Sequence, residues 1–132
     1  MTRRTMILAA LTLVAGARAS WAQAMRNVPR ISIDELKPLM EQKRVLVIDV
    51  RDPSSFQAGH IPGAVNIDYV NMPQRARDHL QEKRTIVTYC ACTNDTTAAR
   101  GALDLTEAGV ANVKVLAGGW NEWIRRGERV EK

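Results

Sequence analysis

The sequence predicts one α/β domain built on a mainly parallel sheet with helices on both faces, and three observations predict it. Apolar, β-branched runs recur at VLVIDV (45–50), TIVTYC (85–90) and NVKVLAG (112–118). Each is apolar throughout instead of alternating, the pattern of a strand covered on both sides. The stretches between them carry helical spacing or helix start and stop signals. Strands separated by helices require right-handed crossovers, and so a parallel sheet between two helical layers.

Taken in order, ISIDEL opens with a short strand, and Ser32 with Glu35 has the spacing of a capping box for the helix that follows. Pro38 falls inside that helix, so its extent is left open. After the strand 45–50, Asp52-Pro53-Ser54-Ser55 is a helix-start signal, and Gly59 closes a short helix. AVNI (64–67) is a strand following the Pro62-Gly63 turn, MPQRARDHLQEK (72–83) a polar helix, and 85–90 a buried strand. From Thr96 to Ala108, Ala99, Ala102, Leu103 and Thr106 fall at helical spacing, with Arg100, Asp104 and Glu107 around the other side and Gly109 as the stop. The strand 112–118 and a helix over WNEWIRRG (120–127) complete the chain.

The chain has 132 residues and a formal charge of +5. Its first 24 residues have the order of a secretory signal peptide: a positive start (MTRR), an apolar run (5–17), then A-x-A sites at Ala17–Ala19 and Ala22–Ala24. The run is short for a stable membrane span. This reading gives a signal peptide at 1–24, a linker at 25–30 and a domain at 31–132, with a periplasmic or secreted product that is free of the membrane once cleaved. Those 24 residues hold three arginines and no acid, so the remainder carries 16 basic against 14 acidic residues. A near-balanced charge without a basic stripe and interleaved aromatics argues against a nucleic-acid partner.

In a parallel α/β sheet the ligand site lies beyond the carboxyl ends of the strands. Asp49-Val50-Arg51, the GHIPGA turn (59–64) and the loop after Cys90 all fall there. That loop contains both cysteines, in YCACTNDTTAAR (89–100). A loop between a buried strand and a helix start can present backbone N–H groups to the sulfur, and the helix end adds positive potential. A thiol in such a nest ionises readily, and the thiolate is the reactive form. Cys90 is therefore read as a nucleophile ahead of a small buried hydrophobe.

For Cys92, a small strained disulfide with Cys90 and simple packing or exposure stand nearly equal. Asp95 has the position of a helix cap; its carboxylate would then oppose a thiolate and repel an anionic substrate. Two cysteines, with His60 and His79 at no regular ligand spacing, make an incomplete metal site.

Three segments together resemble the rhodanese family of single-domain sulfurtransferases. They are VLVIDVRDPSSFQAGHIPGAVNI (45–67), TIVTYC (85–90) and VKVLAGGWNEWIRRG (113–127), in the family's order. The resemblance runs from about Ile31 to the end. It implies a five-stranded parallel α/β domain in which Cys90 takes a sulfane sulfur as a persulfide and hands it to a thiol or other thiophilic acceptor. It implies no cofactor and a small sulfur-donor molecule as partner. It makes Ala91, Cys92, Thr93, Asn94, Asp95, Thr96 and Thr97 the substrate-binding loop, Asp49 and Arg51 supporting framework, and His60 a turn residue without proton-transfer duty. The sequence departs from the family's loop in having Thr93 where glycine is usual, Asp95 where an arginine falls, and about two extra residues. Those departures weigh against phosphatase activity and against efficient use of the dianion thiosulfate. Two other readings stand beside sulfur transfer: thiol–disulfide redox or sensing chemistry at Cys90 and Cys92, and a non-catalytic binding module.

Overall fold

The computed structural model describes residues 16–132, with side chains from residue 21 onward. The charged start and most of the apolar run assigned to export lie outside the described residues. Helix α1 (Gly16–Asn27) precedes β1 (Arg30–Ile31), α2 (Ile33–Glu41), β2 (Val45–Asp49), α3 (Pro53–Ala58) and β3 (Val65–Asn66). Helix α4 (Met72–Arg75) continues as a 3₁₀ turn over Ala76–His79, followed by β4 (Thr85–Tyr89), α5 (Thr96–Glu107), β5 (Val113–Leu116) and α6 (Gly119–Arg125).

The five strands form one sheet in the order β1-β5-β4-β2-β3, every pair parallel. Alternate residues of β2 feed two cores. Leu46 and Ile48 pack with Met72, Ala76 and the α5 residues Ala98 to Leu105, and Met25 of α1 joins them. Val45 and Val47 pack with Ile33 and Leu36 of α2, Phe56 of α3 and Trp123 of α6. Continuous apolar strands thus serve a sheet with helices on both faces, as the sequence predicts. Register places Asp49 beside Tyr89, so β2 and β4 end level and release Val50 and Cys90 at the same edge.

One boundary that the sequence leaves open is settled, and one differs from expectation. Helix α2 runs through Pro38 to Glu41. Proline there removes only the bond to the carbonyl four residues back, and Ser32 secures the start by accepting from the Glu35 N–H at 3.1 Å. The polar helix placed at 72–83 stops at His79. Of its first turns only Met72 and Ala76 are buried, and Leu80 is exposed, so no apolar stripe holds a further turn against the sheet. Within residues 25–30 Val28 is buried, Met25 is half-buried, and the exposed Arg30 pairs its backbone with Val115 in the sheet.

Candidate functional site

Strand β4 carries Cys90 to the sheet edge. Thr88, buried, donates from Oγ1 to the Ala98 carbonyl at 2.8 Å and ties the strand to the first turn of α5. Cys90 is 3% exposed and sits in the core shared with α5. Its carbonyl accepts from the Trp120 N–H at 2.9 Å. That approach is possible because Gly119 lies between: at φ +50 a Cβ there would come 2.3 Å from the Cys90 oxygen. Asn121 Nδ2 donates to the Ala91 carbonyl at 3.2 Å, so the start of α6 grips the start of the cysteine loop by one backbone and one side-chain bond.

Cys90 and Cys92 are joined by a disulfide, with Cα atoms 5.7 Å apart. Of the two arrangements open for Cys92, this is the bonded one, and it masks the Cys90 sulfur until a thiol reduces it. Among the described residues, no protein oxygen accepts from the N–H groups of Ala91, Cys92, Thr93 or Asn94, nor from those of Thr96, Thr97 or Ala98. The loop therefore offers a run of unpaired donors ahead of the positive end of α5.

Asp95 occupies the cap position of α5 but its side chain caps nothing. A capping residue uses extended backbone to reach the N–H groups ahead of it; Asp95 is left-handed, φ 55, ψ 24. Its Oδ2 instead accepts from the Gly118 N–H at 3.1 Å, and its Oδ1 is buried without a partner. Side-chain capping by Asp95, which the sequence leaves conditional, is not made: its carboxylate joins the β5–α6 junction.

Asp49 and Arg51 form the ground beneath the loop. Asp49 is fully buried and accepts from the Arg51 backbone N–H, Nε and a terminal nitrogen at 2.7–3.1 Å. The same terminal nitrogen of Arg51 donates to the Gly59 carbonyl at 2.7 Å, and the guanidinium lies 4.3 Å over the Trp120 ring. Asn66 Nδ2 bridges the carbonyls of Asp49 and Arg51. Tyr89, on the face of β4 opposite Cys90, donates from its hydroxyl to Asp49 Oδ2 at 2.7 Å and accepts from the Ile61 N–H at 3.1 Å. Burial pushes the Tyr89 phenol well above its ordinary value, and the Asp49 charge adds to the push. Arg51 is thus committed to Asp49, Gly59 and Trp120.

The remaining sequence candidates fall elsewhere. His60 stacks on Phe56 with ring centroids 3.8 Å apart, shares a 2.8 Å bond between Nδ1 and the Phe56 carbonyl, and pairs its backbone with Glu131. Arg100 lies 4.5 Å over the ring of Trp21 in α1. Among the described residues no group of three His, Cys, Asp or Glu is placed to hold a metal ion. Sequence reasoning missed Tyr89, Asn66, Trp120 and Gly119. Tyr89 left a signal, since a hydroxyl on a strand buried on both faces needs a partner; Asn66, Gly119 and Trp120 lie inside the segments that carry the resemblance, which gave them no role.

A parallel five-stranded sheet that delivers one cysteine to a loop of free N–H groups, over a buried Asp–Arg–Tyr cluster, defines a cysteine-centred α/β domain. The rhodanese-like domain model matches residues 32–126, and the chain belongs to that family. It is 30% identical over 103 residues to the thiosulfate sulfurtransferase GlpE of Pseudoalteromonas translucida, covering 77% of this chain and 95% of that one. It is 33% identical over 99 residues to the thiosulfate sulfurtransferase GlpE of Pseudomonas fluorescens, covering 75% and 87%. The crystal structure of the Alr3790 protein from Anabaena sp. superposes with a TM-score of 0.69 at 30% identity, over 76% of this chain and 81% of that one.

Proposed function

We propose that the protein is an exported sulfurtransferase that carries sulfane sulfur as a persulfide on Cys90. One observation carries the reading: Cys90 leaves the buried end of β4 into a loop whose N–H groups are unpaired, immediately before the start of α5. A thiol first opens the Cys90–Cys92 disulfide, becoming oxidised itself. The Cys90 thiolate then attacks the outer sulfur of the donor. The donor's sulfur–sulfur bond breaks, its leaving group departs with the electron pair, and Cys90 keeps the sulfur as a persulfide anion. An acceptor thiol takes that outer sulfur, and Cys90 leaves as thiolate. Both displacements keep one negative charge at the loop, where fixed N–H dipoles stabilise it. The names of the relatives make thiosulfate the first donor to try, and the amino-terminal pattern supports export.

The test is intact mass of the reduced protein after incubation with thiosulfate and with neutral polysulfides. A gain of one sulfur, absent from Cys90→Ser, is expected; no gain with any donor refutes the proposal. Amino-terminal sequencing of protein recovered from the periplasm and growth medium checks export, which an uncleaved chain retained in the cytoplasm would refute.

The disulfide itself favours a second reading, in which Cys90 and Cys92 cycle as a redox pair. Reduction and reoxidation by a thiol–disulfide buffer, with Cys92→Ser unable to cycle, is what that reading predicts.

A further inference from the structure

The disulfide brings Cys92 Sγ onto Cys90 Sγ within the folded loop, with the Cα atoms 5.7 Å apart. The loop is pinned on both sides of Cys92 by bonds that involve no sulfur. Ahead of it, the Cys90 carbonyl accepts from the Trp120 N–H at 2.9 Å, and the Ala91 carbonyl from Asn121 Nδ2 at 3.2 Å. Behind it, Asp95 Oδ2 accepts from the Gly118 N–H at 3.1 Å, and the Asp95 carbonyl from the Ala99 N–H at 2.8 Å. Opening the disulfide breaks none of these bonds. The reduced Cys92 thiol therefore stays tethered beside Cys90, at an effective concentration that a free thiol in solution does not reach.

The two sulfurs differ in access. Cys90 is 3% exposed, whereas Cys92 is half-buried and packs on the edge of the same core. An external thiol therefore meets Cys92 first, and Cys90 is the sulfur it releases, as a thiolate in a loop of unpaired N–H groups. The pair has a direction: Cys90 is the inner, nucleophilic member and Cys92 the outer, exchanging one.

We propose that Cys92 resolves the Cys90 persulfide and expels its outer sulfur as hydrosulfide, so that the Cys90–Cys92 disulfide is a product of turnover. The inference rests on the sulfurtransferase reading and gives that site a second outlet for sulfur. The approach that yields the disulfide meets Cys90 Sγ, which is the inner sulfur of the persulfide. A bond forms between Cys92 Sγ and Cys90 Sγ, the bond from Cys90 Sγ to the outer sulfur breaks, and the outer sulfur leaves with the electron pair. The proton of the Cys92 thiol ends on the hydrosulfide, so one proton and one negative charge are present before and after. The two cysteines are oxidised to the disulfide, and the sulfane sulfur is reduced to sulfide. Hydrosulfide is a weaker base than an alkyl thiolate, which makes it the faster leaving group. A dithiol resets the site: its first thiolate attacks Cys92, Cys90 leaves as thiolate, and its second thiol frees Cys92 by closing the dithiol's own disulfide. An external acceptor thiol competes for the outer sulfur; without one, the protein is a dithiol-driven source of sulfide.

The experiment uses the full-length chain, reduced and freed of reductant, in anaerobic buffer, so that the sulfur donor is the sole oxidant. Thiosulfate or, in parallel, a small alkyl persulfide is added, and samples quenched in acid over time are analysed for intact mass and for sulfide above a Cys90→Ser blank. Wild type should gain one sulfur at the earliest times and then lose it. It should end two hydrogens lighter than the reduced chain, with one equivalent of sulfide released at a rate independent of protein concentration. Cys92→Ser should load and keep its sulfur, releasing sulfide at least about a hundredfold more slowly. Wild type that keeps the added sulfur, on Cys90 or passed to Cys92, overturns the inference and leaves the sulfurtransferase reading standing. Equal sulfide release from wild type and Cys92→Ser does the same. Should Cys92→Ser misfold, wild type alone decides: peptide mapping of the spent protein must find Cys90 joined to Cys92 of the same chain, and free thiols or a bond between chains overturn the inference. If neither wild type nor Cys92→Ser takes up sulfur or releases sulfide with either donor, the sulfurtransferase reading fails and the inference falls with it.

Discussion

Replacing Tyr89 with phenylalanine removes one oxygen from the buried cluster and changes nothing in shape. That oxygen has two partners, the Ile61 N–H at 3.1 Å and Asp49 Oδ2 at 2.7 Å, and Tyr89, Ile61 and Asp49 are all fully buried. The stranded Ile61 N–H costs about 1–3 kcal/mol. Asp49 loses one charged bond but keeps Arg51, so about 1 kcal/mol more is a fair addition, giving a total of about 2–4 kcal/mol. With a urea slope of about 2 kcal/mol per molar, the unfolding midpoint falls by about 1–2 M.

The effect also has a pH signature. The folded phenol is held protonated above its ordinary value of 10.0, chiefly by burial, while the unfolded phenol ionises near that value. The unfolded state therefore binds fewer protons above pH 10, and wild-type stability falls there as pH rises. Phenylalanine has no such proton. The gap between wild type and Tyr89→Phe should thus be full at pH 9 and smaller by about 1.4 kcal/mol at pH 11. Urea unfolding of the oxidised proteins, followed by circular dichroism at both pH values, measures it. A gap below about 0.5 kcal/mol at pH 9, or one that does not narrow by pH 11, would refute the reasoning.

Gly119→Ala puts a Cβ 2.3 Å from the Cys90 carbonyl at a positive φ; it should cost at least about 1–2 kcal/mol in thermal or urea unfolding. Because it also breaks the grip of Trp120 on Cys90, sulfur loading should slow in protein that remains folded. Asp95→Asn keeps an oxygen for the Gly118 N–H and removes a negative charge beside the loop; loading from thiosulfate should rise about threefold at low salt and less at high salt. Glu82 is held at about 2 by its bond to Arg84. Its stabilisation is present above its ordinary value of 4.5 and is lost as pH falls toward 2. Glu82→Gln should therefore weaken the protein at pH 6 more than at pH 3 in urea unfolding.

The strand runs at 45–50 and 85–90, the helix at 96–108 and the placement of Cys90 at a strand end were legible because each rests on local information. A continuous apolar run needs cover on both faces, and a run at helical spacing needs cover on one. The helix at 72–83 was overdrawn because propensity does not say where burial stops, and only Met72 and Ala76 reach the core. Asp95 stands at the cap position as its place in the sequence suggests, but whether its side chain caps depends on a backbone conformation that the sequence does not show: it is left-handed, and the carboxylate accepts from the Gly118 N–H.

By itself, the sequence determined the α/β class, the order of elements, the family resemblance and the position of the cysteines at the sheet's ligand edge. Periodicity, turn chemistry and motif order are written along the chain and need no distant partner. Only the tertiary structure decided which groups meet. It put the Tyr89 hydroxyl on Asp49 and Ile61, the Trp120 N–H on the Cys90 carbonyl, and the Asn121 side chain on the Ala91 carbonyl 30 positions earlier in the sequence. Those contacts follow from parallel register and helix docking, which bring together residues whose separation along the chain carries no periodic signal.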